Sequence, residues 1–364
     1  MSLALSDNKI IASCIETMAR LIVARGGFVH PAVCIEVRDG SIRTVCLAPL
    51  AVGETLFKVP DTLLVPTDEL NWTDSEEKME LASPTSHFSA DRAEMLDLFI
   101  TIYNAAGKLP WLKNHAARVV LRDAGFAAQL ALIRPRHFIE APSPAAELLD
   151  TRCYSGKDAQ DGMANKRCLM PLIDFMNHHM EGAPYLHGNG FLQANICFAD
   201  QTEECFSNYG KHRDPLNLAL GHGYLDGNST YVQCVPLKID LEGFGLLEIL
   251  GQRFAAKHPA DLPKVEFGDD GVNLSHLSGD VRAPHHLHSV LRLAMMASAR
   301  RRGISDAVTE KAIAELPQAM LEVNRLKLDA FQAYLATRPD LPIATVLSQA
   351  CQRQLANLTA ILGT

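Results

Sequence analysis

Met170-Pro171-Leu172-Ile173-Asp174-Phe175-Met176-Asn177-His178 is the stretch from which the chain is best read. Residues 168–176 are apolar apart from Asp174, and the run stops on Asn177, His178 and His179. A short apolar run bounded by turn formers reads as a buried strand. An Asn-His pair at its end suits a capped turn.

Working outward, 192–198 and 231–236 also read as strands, and 156–166 is a loop rich in Gly and Asp. Upstream, Pro135, Pro142 and Pro144 punctuate the chain. Before them lies an amphipathic helix over 91–106, with Met95, Leu98, Phe99, Ile102 and Tyr103 on one side. Helices are expected to continue over 111–124 and 126–133. Nearer the start, 32–37 and 41–47 are β-branched-rich runs around Arg38-Asp39-Gly40, a hairpin signal. A strand over 55–59 stops at Pro60. The first helix covers 10–23, with Ser6 and Asp7 to cap it and Gly26-Gly27 to end it. From Gly243 onward the pattern is helical: 288–302, 310–335 with a kink or break at Pro317, and 343–362. The expected class is α+β. A β-rich part over 1–240 carries a helical insert at about 61–150, and an all-α domain follows over 241–364.

The 364 residues are too many for one ordinary domain, and 48% hydrophobic content excludes a disordered chain. No apolar run reaches the ~18 residues of a membrane span, and the start has no basic leader or cleavage site. Thirty-four Lys and Arg against 42 Asp and Glu give a net charge of −8, which argues against nucleic acid and for a cationic partner. The nine cysteines form no C-x-x-C pair, so reduced thiols in a cytoplasmic protein are expected. There is no G-x-G-x-x-G, no phosphate loop and no G-x-S-x-G elbow. His285, His286 and His288 crowd a helix start without a carboxylate or cysteine at ligand spacing, so no metal site is expected.

Four segments, in order, resemble the SET-domain protein methyltransferases, in the class of the Rubisco large-subunit lysine methyltransferase. The first is Leu47-Ala48-Pro49-Leu50-Ala51-Val52-Gly53-Glu54-Thr55-Leu56-Phe57-Lys58-Val59-Pro60, and the second Arg152-Cys153-Tyr154. The third is the stretch quoted above, similar to a Pro-x-x-Asp-x-x-Asn-His core. The fourth is Glu203-Glu204-Cys205-Phe206-Ser207-Asn208-Tyr209-Gly210, followed by Leu218-Ala219-Leu220-Gly221-His222-Gly223-Tyr224. The resemblance implies a SET domain with a helical insert and a helical substrate-binding tail. It implies S-adenosylmethionine as cofactor and a protein substrate with an accessible lysine. Tyr209 becomes the catalytic tyrosine. Arg152 pairs with the cofactor carboxylate, and Asn177 and His178 contact the cofactor.

The chemistry suits these residue types. A lysine amine attacks only when neutral, and its reference pKa is ~10.4. An apolar channel lowers that value, and holding amine and methyl donor in line removes much of the barrier. Two departures qualify the match. The family's Gly-x-Gly is replaced by Arg43-Thr44-Val45, so either the upstream Gly26 and Gly27 take over backbone contact with the cofactor or that contact is altered. Its Ser-Asn is replaced by Asp214-Pro215. A catalytically inactive SET-like binding module, a protein-histidine methyltransferase and a histidine-based metalloenzyme therefore stand as competing expectations.

Overall fold

Asn8, rather than Ser6 or Asp7, caps the first helix, Lys9–Ala24, accepting from the Ile10 and Ile11 amides at 3.0 and 3.3 Å. Asn places its carbonyl oxygen where the orphan amides of a first turn point. The computed structural model describes residues 2–38, 40–112, 115–135, 143–155, 166–197, 204–209, 214–251 and 262–363. Asp39, most of the 156–166 loop, Phe198, Glu203 and Gly210 lie outside the described residues.

The chain divides into two units. The first is Met1–Lys113 with Glu140–Gly210, and the second is Asn114–Ile139 with Lys211–Thr364. The division therefore falls near 210 instead of 240, and residues 114–139 leave the expected insert for the second unit. Specific contacts hold them there. Phe126, in helix Ala124–Ile133, packs on Phe331 with ring centroids 6.1 Å apart. Asp123 pairs with Arg338 at 2.6 Å. Arg134 pairs with Asp214 at 3.0 Å, with both side chains almost wholly buried. These partners lie about 80 to 215 residues away, so helical periodicity alone does not reveal them.

In the first unit the hairpin forms as its Gly40 signal indicates. Val33–Arg38 pairs antiparallel with Ser41–Cys46, and Ala4–Ser6 lies parallel to Val33–Arg38. Thr55–Pro60 sits inside a four-stranded sheet, between Phe28–Val29 and Phe191–Asn195, with Leu186–Gly188 at the edge. Lys9–Ala24 buries Ile11, Ile15, Met18 and Ile22, in one core with Leu56, Phe57, Met95 and Phe99. Phe99 and Met95 come from helix Ala90–Ala105, whose Ser89 cap accepts from Arg92.

In the second unit the chain keeps strands well past 241. Leu237–Leu241 turns back at Gly243 (φ +71°) into Gly245–Ile249, and Gly271–Leu274 and Val265–Phe267 complete a four-stranded sheet. The alternation in Leu237-Lys238-Ile239-Asp240-Leu241, buried at odd positions and exposed at even ones, is a strand period. The wholly helical region starts only at Pro284 and comprises Pro284–Arg302, Asp306–Ala336 and Ala344–Leu362. No helix among the described residues is long and apolar enough to cross a membrane.

Pro317 does not end its helix. Asp306–Ala336 runs through it as one element, anchored by buried Leu316, Met320 and Phe331. Tertiary packing has overridden the local penalty, which for an interior Pro is ~3 kcal/mol. Pro317→Ala restores a backbone donor and is expected to stabilise the chain by ~1–2 kcal/mol, after the greater freedom of unfolded Ala is deducted. Urea unfolding measures this, and an unchanged or lower midpoint would contradict it.

Candidate functional site

Leu172 sets the site's shape. It is fully buried at φ +60°, a region that costs a non-glycine residue ~1 kcal/mol or more. The expected single strand over 168–176 is broken by this residue. A strand Arg167–Leu169 is followed by a helical turn Ile173–Phe175 and then by the strand Asn177–Pro184. The turn buries Asp174, whose carboxyl accepts the Tyr103 hydroxyl. Burial holds that carboxyl well above its usual range.

Asn177–Pro184 then lies parallel to Phe206–Asn208, and this pairing delivers Tyr209. The Tyr209 amide donates to His178 Nδ1 at 2.9 Å, and the two rings sit 5.2 Å apart. The Tyr209 hydroxyl donates to the Met176 carbonyl at 2.6 Å. Asn208 Nδ2 donates to the Met180 carbonyl at 2.7 Å. Asn177 Nδ2 donates to Glu204 at 2.6 Å, and Glu204 faces Arg43 at 3.5 Å. Arg43 is in turn held by Glu36 at 2.5 Å. The expected residues Tyr209, Asn177 and His178 therefore form one group. Arg152 is tied to it through Asp174, whose carbonyl accepts from Nη1 at 3.5 Å.

Gly26 and Gly27 have another explanation. Their amides bond back to Val23 and Ile22 at the helix end. Gly26 has φ +79°. A Cβ on Gly27 would lie 2.5 Å from the Lys58 carbonyl oxygen and 2.6 Å from the Ile22 side chain. The turn and the close approach of Thr55–Pro60 require both glycines, whatever else they touch.

The structure adds residues that the motifs did not single out. Tyr185 accepts a hydrogen bond from Ser207 at 2.8 Å, with Tyr154 edge-on to it at 5.7 Å. Burial pushes the phenols of Tyr185 and Tyr209 upward, while nearby Arg152 pulls the other way. Both remain neutral phenols across the physiological range. Both also keep some solvent-accessible surface. Tyr185 follows Ala183-Pro184, which carries no signal of its own. Glu204 was visible as one of an acidic pair, but its bond to Asn177 was not.

Arg152 is the cation of the site. Its guanidinium is half-buried and has no carboxylate partner among the described residues. Lys108, beside it, is pushed down to about 7 by burial and then by the Arg152 charge. A lysine lowered on folding releases protons, so stability rises between about pH 7 and about pH 10.4 and is lowest below that window. Lys108→Met is expected to gain ~1–2 kcal/mol at pH 7, discounted for partial exposure, and to lose that pH dependence. Urea melts at pH 7 and 9.5 test this; a variant that matches the parent at both would refute it.

His285 and His286 are exposed, and His288 bonds to the Ile361 carbonyl at 2.8 Å. Among the described residues, no group of three or more His, Cys, Asp or Glu could hold a metal ion.

No protein-family model and no curated protein matches the chain. Solved structures are similar to it. A Rubisco LSMT structure bound to AdoMet aligns over 96% of this chain and 91% of that one, with 12% identity and a TM-score of 0.47. The SET domain of LSMT bound to lysine and AdoHcy aligns over 97% and 90%, with 12% identity and a TM-score of 0.43.

Proposed function

We propose that the chain is an S-adenosylmethionine-dependent protein N-methyltransferase of the SET type, acting on a lysine side chain. The supporting observation is the Tyr209 phenol, fixed by the Met176 carbonyl and His178 beside Asn177. Its proton is committed to Met176, which fixes the direction of the phenol oxygen. Tyr185 and Tyr154 offer apolar ring surface that excludes water and favours a neutral amine.

The residues present fit the cofactor. Arg152, half-buried and lacking a carboxylate among the described residues, matches an amino-acid carboxylate bidentately. Asn177 keeps its carbonyl oxygen as an acceptor while its amide is held by Glu204. The cofactor, when bound, supplies a methyl group on a sulfonium. Arg43 stands where the family pattern has glycine, and its tie to Glu204 gives that position a supporting role. This favours an active site over an inactive binding module.

The proposal includes a cytoplasmic location, supported by nine cysteines that are all free thiols. A basic protein segment is the natural partner of a chain with net charge −8. Calorimetric titration with S-adenosylmethionine tests the cofactor: a saturable heat supports the reading, and none at millimolar cofactor would end it. Mass spectrometry of a lysate incubated with enzyme and labelled cofactor identifies the acceptor. Label on lysine is expected, and label on histidine would replace that part of the proposal.

A further inference from the structure

We propose that Cys46 and Cys205 are a modification site, forming a reversible intramolecular disulfide that weakens the cofactor site. Their sulfurs lie 2.8 Å apart, although 159 residues separate them. A disulfide needs ~2.05 Å, so closing it asks for about 0.75 Å of movement. The two backbones already meet, with the Cys205 amide donating to the Thr44 carbonyl at 2.8 Å. Both thiols are buried, yet both stand at element ends. Cys46 is the last residue of Ser41–Cys46, and Cys205 directly precedes Phe206–Asn208. Element ends open locally at less cost than a whole domain, which lets a small oxidant reach them.

The two thiols share a hydrogen bond in which either sulfur can be the donor. Either sulfur can attack first, and the balance is the same with the two exchanged. With hydrogen peroxide as oxidant, Cys46 Sγ attacks one oxygen and the O–O bond breaks. The leaving hydroxide takes the thiol proton and departs as water. Cys205 Sγ then displaces the oxygen from Cys46, the S–S bond forms, and the second water leaves with the Cys205 proton. Two electrons pass from the sulfurs to the peroxide, and a dithiol reverses the step.

The consequence for binding rests on the methyltransferase reading. Cys205 is chemically bonded to Glu204, whose carboxylate holds Asn177 at 2.6 Å and faces Arg43 at 3.5 Å. Displacing this segment toward Cys46 lengthens the Asn177 bond. The expected loss of S-adenosylmethionine affinity is about threefold to tenfold. Cys197, half-buried with its thiol on the Phe206 carbonyl at 3.6 Å, is the competing thiol nearby in sequence.

The test exposes the full chain to hydrogen peroxide and maps its peptides by mass spectrometry. The expected product is one Cys46–Cys205 linked peptide, lighter by two hydrogens and restored by dithiothreitol. A Cys197–Cys205 link, or oxygen adducts without a link, would overturn the assignment. This measurement needs no variant and no cofactor. Cys205→Ala should give no link and show the same cofactor affinity before and after peroxide. Calorimetry on the reduced and oxidised chain then reads the effect, and equal affinities would overturn the coupling. If the reduced chain binds no cofactor, the methyltransferase reading fails, while the peptide map still decides the disulfide.

Discussion

Tyr209→Phe is expected to slow methyl transfer by ~100-fold or more while leaving cofactor affinity within about twofold. The variant removes one oxygen and keeps the ring. The ring maintains its contact with His178 at 5.2 Å, and the backbone amide keeps His178 Nδ1. Asn177, Glu204 and Arg152 do not touch the phenol oxygen directly, so the cofactor side of the site stays intact. What disappears is an acceptor fixed by the Met176 carbonyl at 2.6 Å. A fixed acceptor orients the attacking amine and has nothing to reorganise as charge shifts to it, which is why one such group is worth two to three powers of ten. Burial holds the phenol above its usual pKa, so phenolate formation contributes no break to the parent's pH-rate profile below about pH 10. Single-turnover transfer from labelled cofactor, with affinity measured separately by calorimetry, checks this. A variant as fast as the parent would remove Tyr209 from the reaction; one that fails only to bind cofactor would reassign it.

What could be read in the sequence follows a physical divide. The Val33–Arg38 hairpin and the helix Ala90–Ala105 were legible because each satisfies its own pattern within about a dozen residues. Tyr209 and the Asn177-His178 pair were legible because their motifs come in a recognisable order. The kink at Leu172 was not. A buried Leu at φ +60° is imposed by its surroundings, and no local preference announces it. The placement of 114–139 was equally hidden. It depends on Arg134 meeting Asp214 and Asp123 meeting Arg338, ion pairs that periodicity cannot foresee. The chain from Gly243 read as helical, whereas the apolar residues on either side of that glycine serve a strand period that the later helices obscured. The same divide separates roles within the site. The role of Glu204 appears only when the strands bring it to Asn177, and the need for glycine at 27 appears only when Thr55–Pro60 brings the Lys58 carbonyl against it.

Gly182→Ala is expected to destabilise the chain by ~3 kcal/mol and to abolish cofactor binding together with activity. Gly182 is buried in Asn177–Pro184, against the parallel strand Phe206–Asn208. A Cβ there would lie 2.5 Å from the Ser207 carbonyl carbon, 2.7 Å from its oxygen and 2.9 Å from the Asn208 nitrogen. All three atoms are backbone, so no side-chain rotation relieves the clash. The strands must part by most of an ångström to reach ordinary contact. The same movement pulls Ser207 from Tyr185, Asn208 from the Met180 carbonyl and Tyr209 from His178, bonds of 2.8, 2.7 and 2.9 Å. One methyl group therefore acts on stability and site at once, in contrast to Tyr209→Phe, which touches the rate alone. Urea unfolding and calorimetric titration of the variant separate the two effects. Binding that survives with a midpoint near the parent's would mean the strands can spread without disturbing Tyr209, and would break the link drawn here between strand spacing and the site.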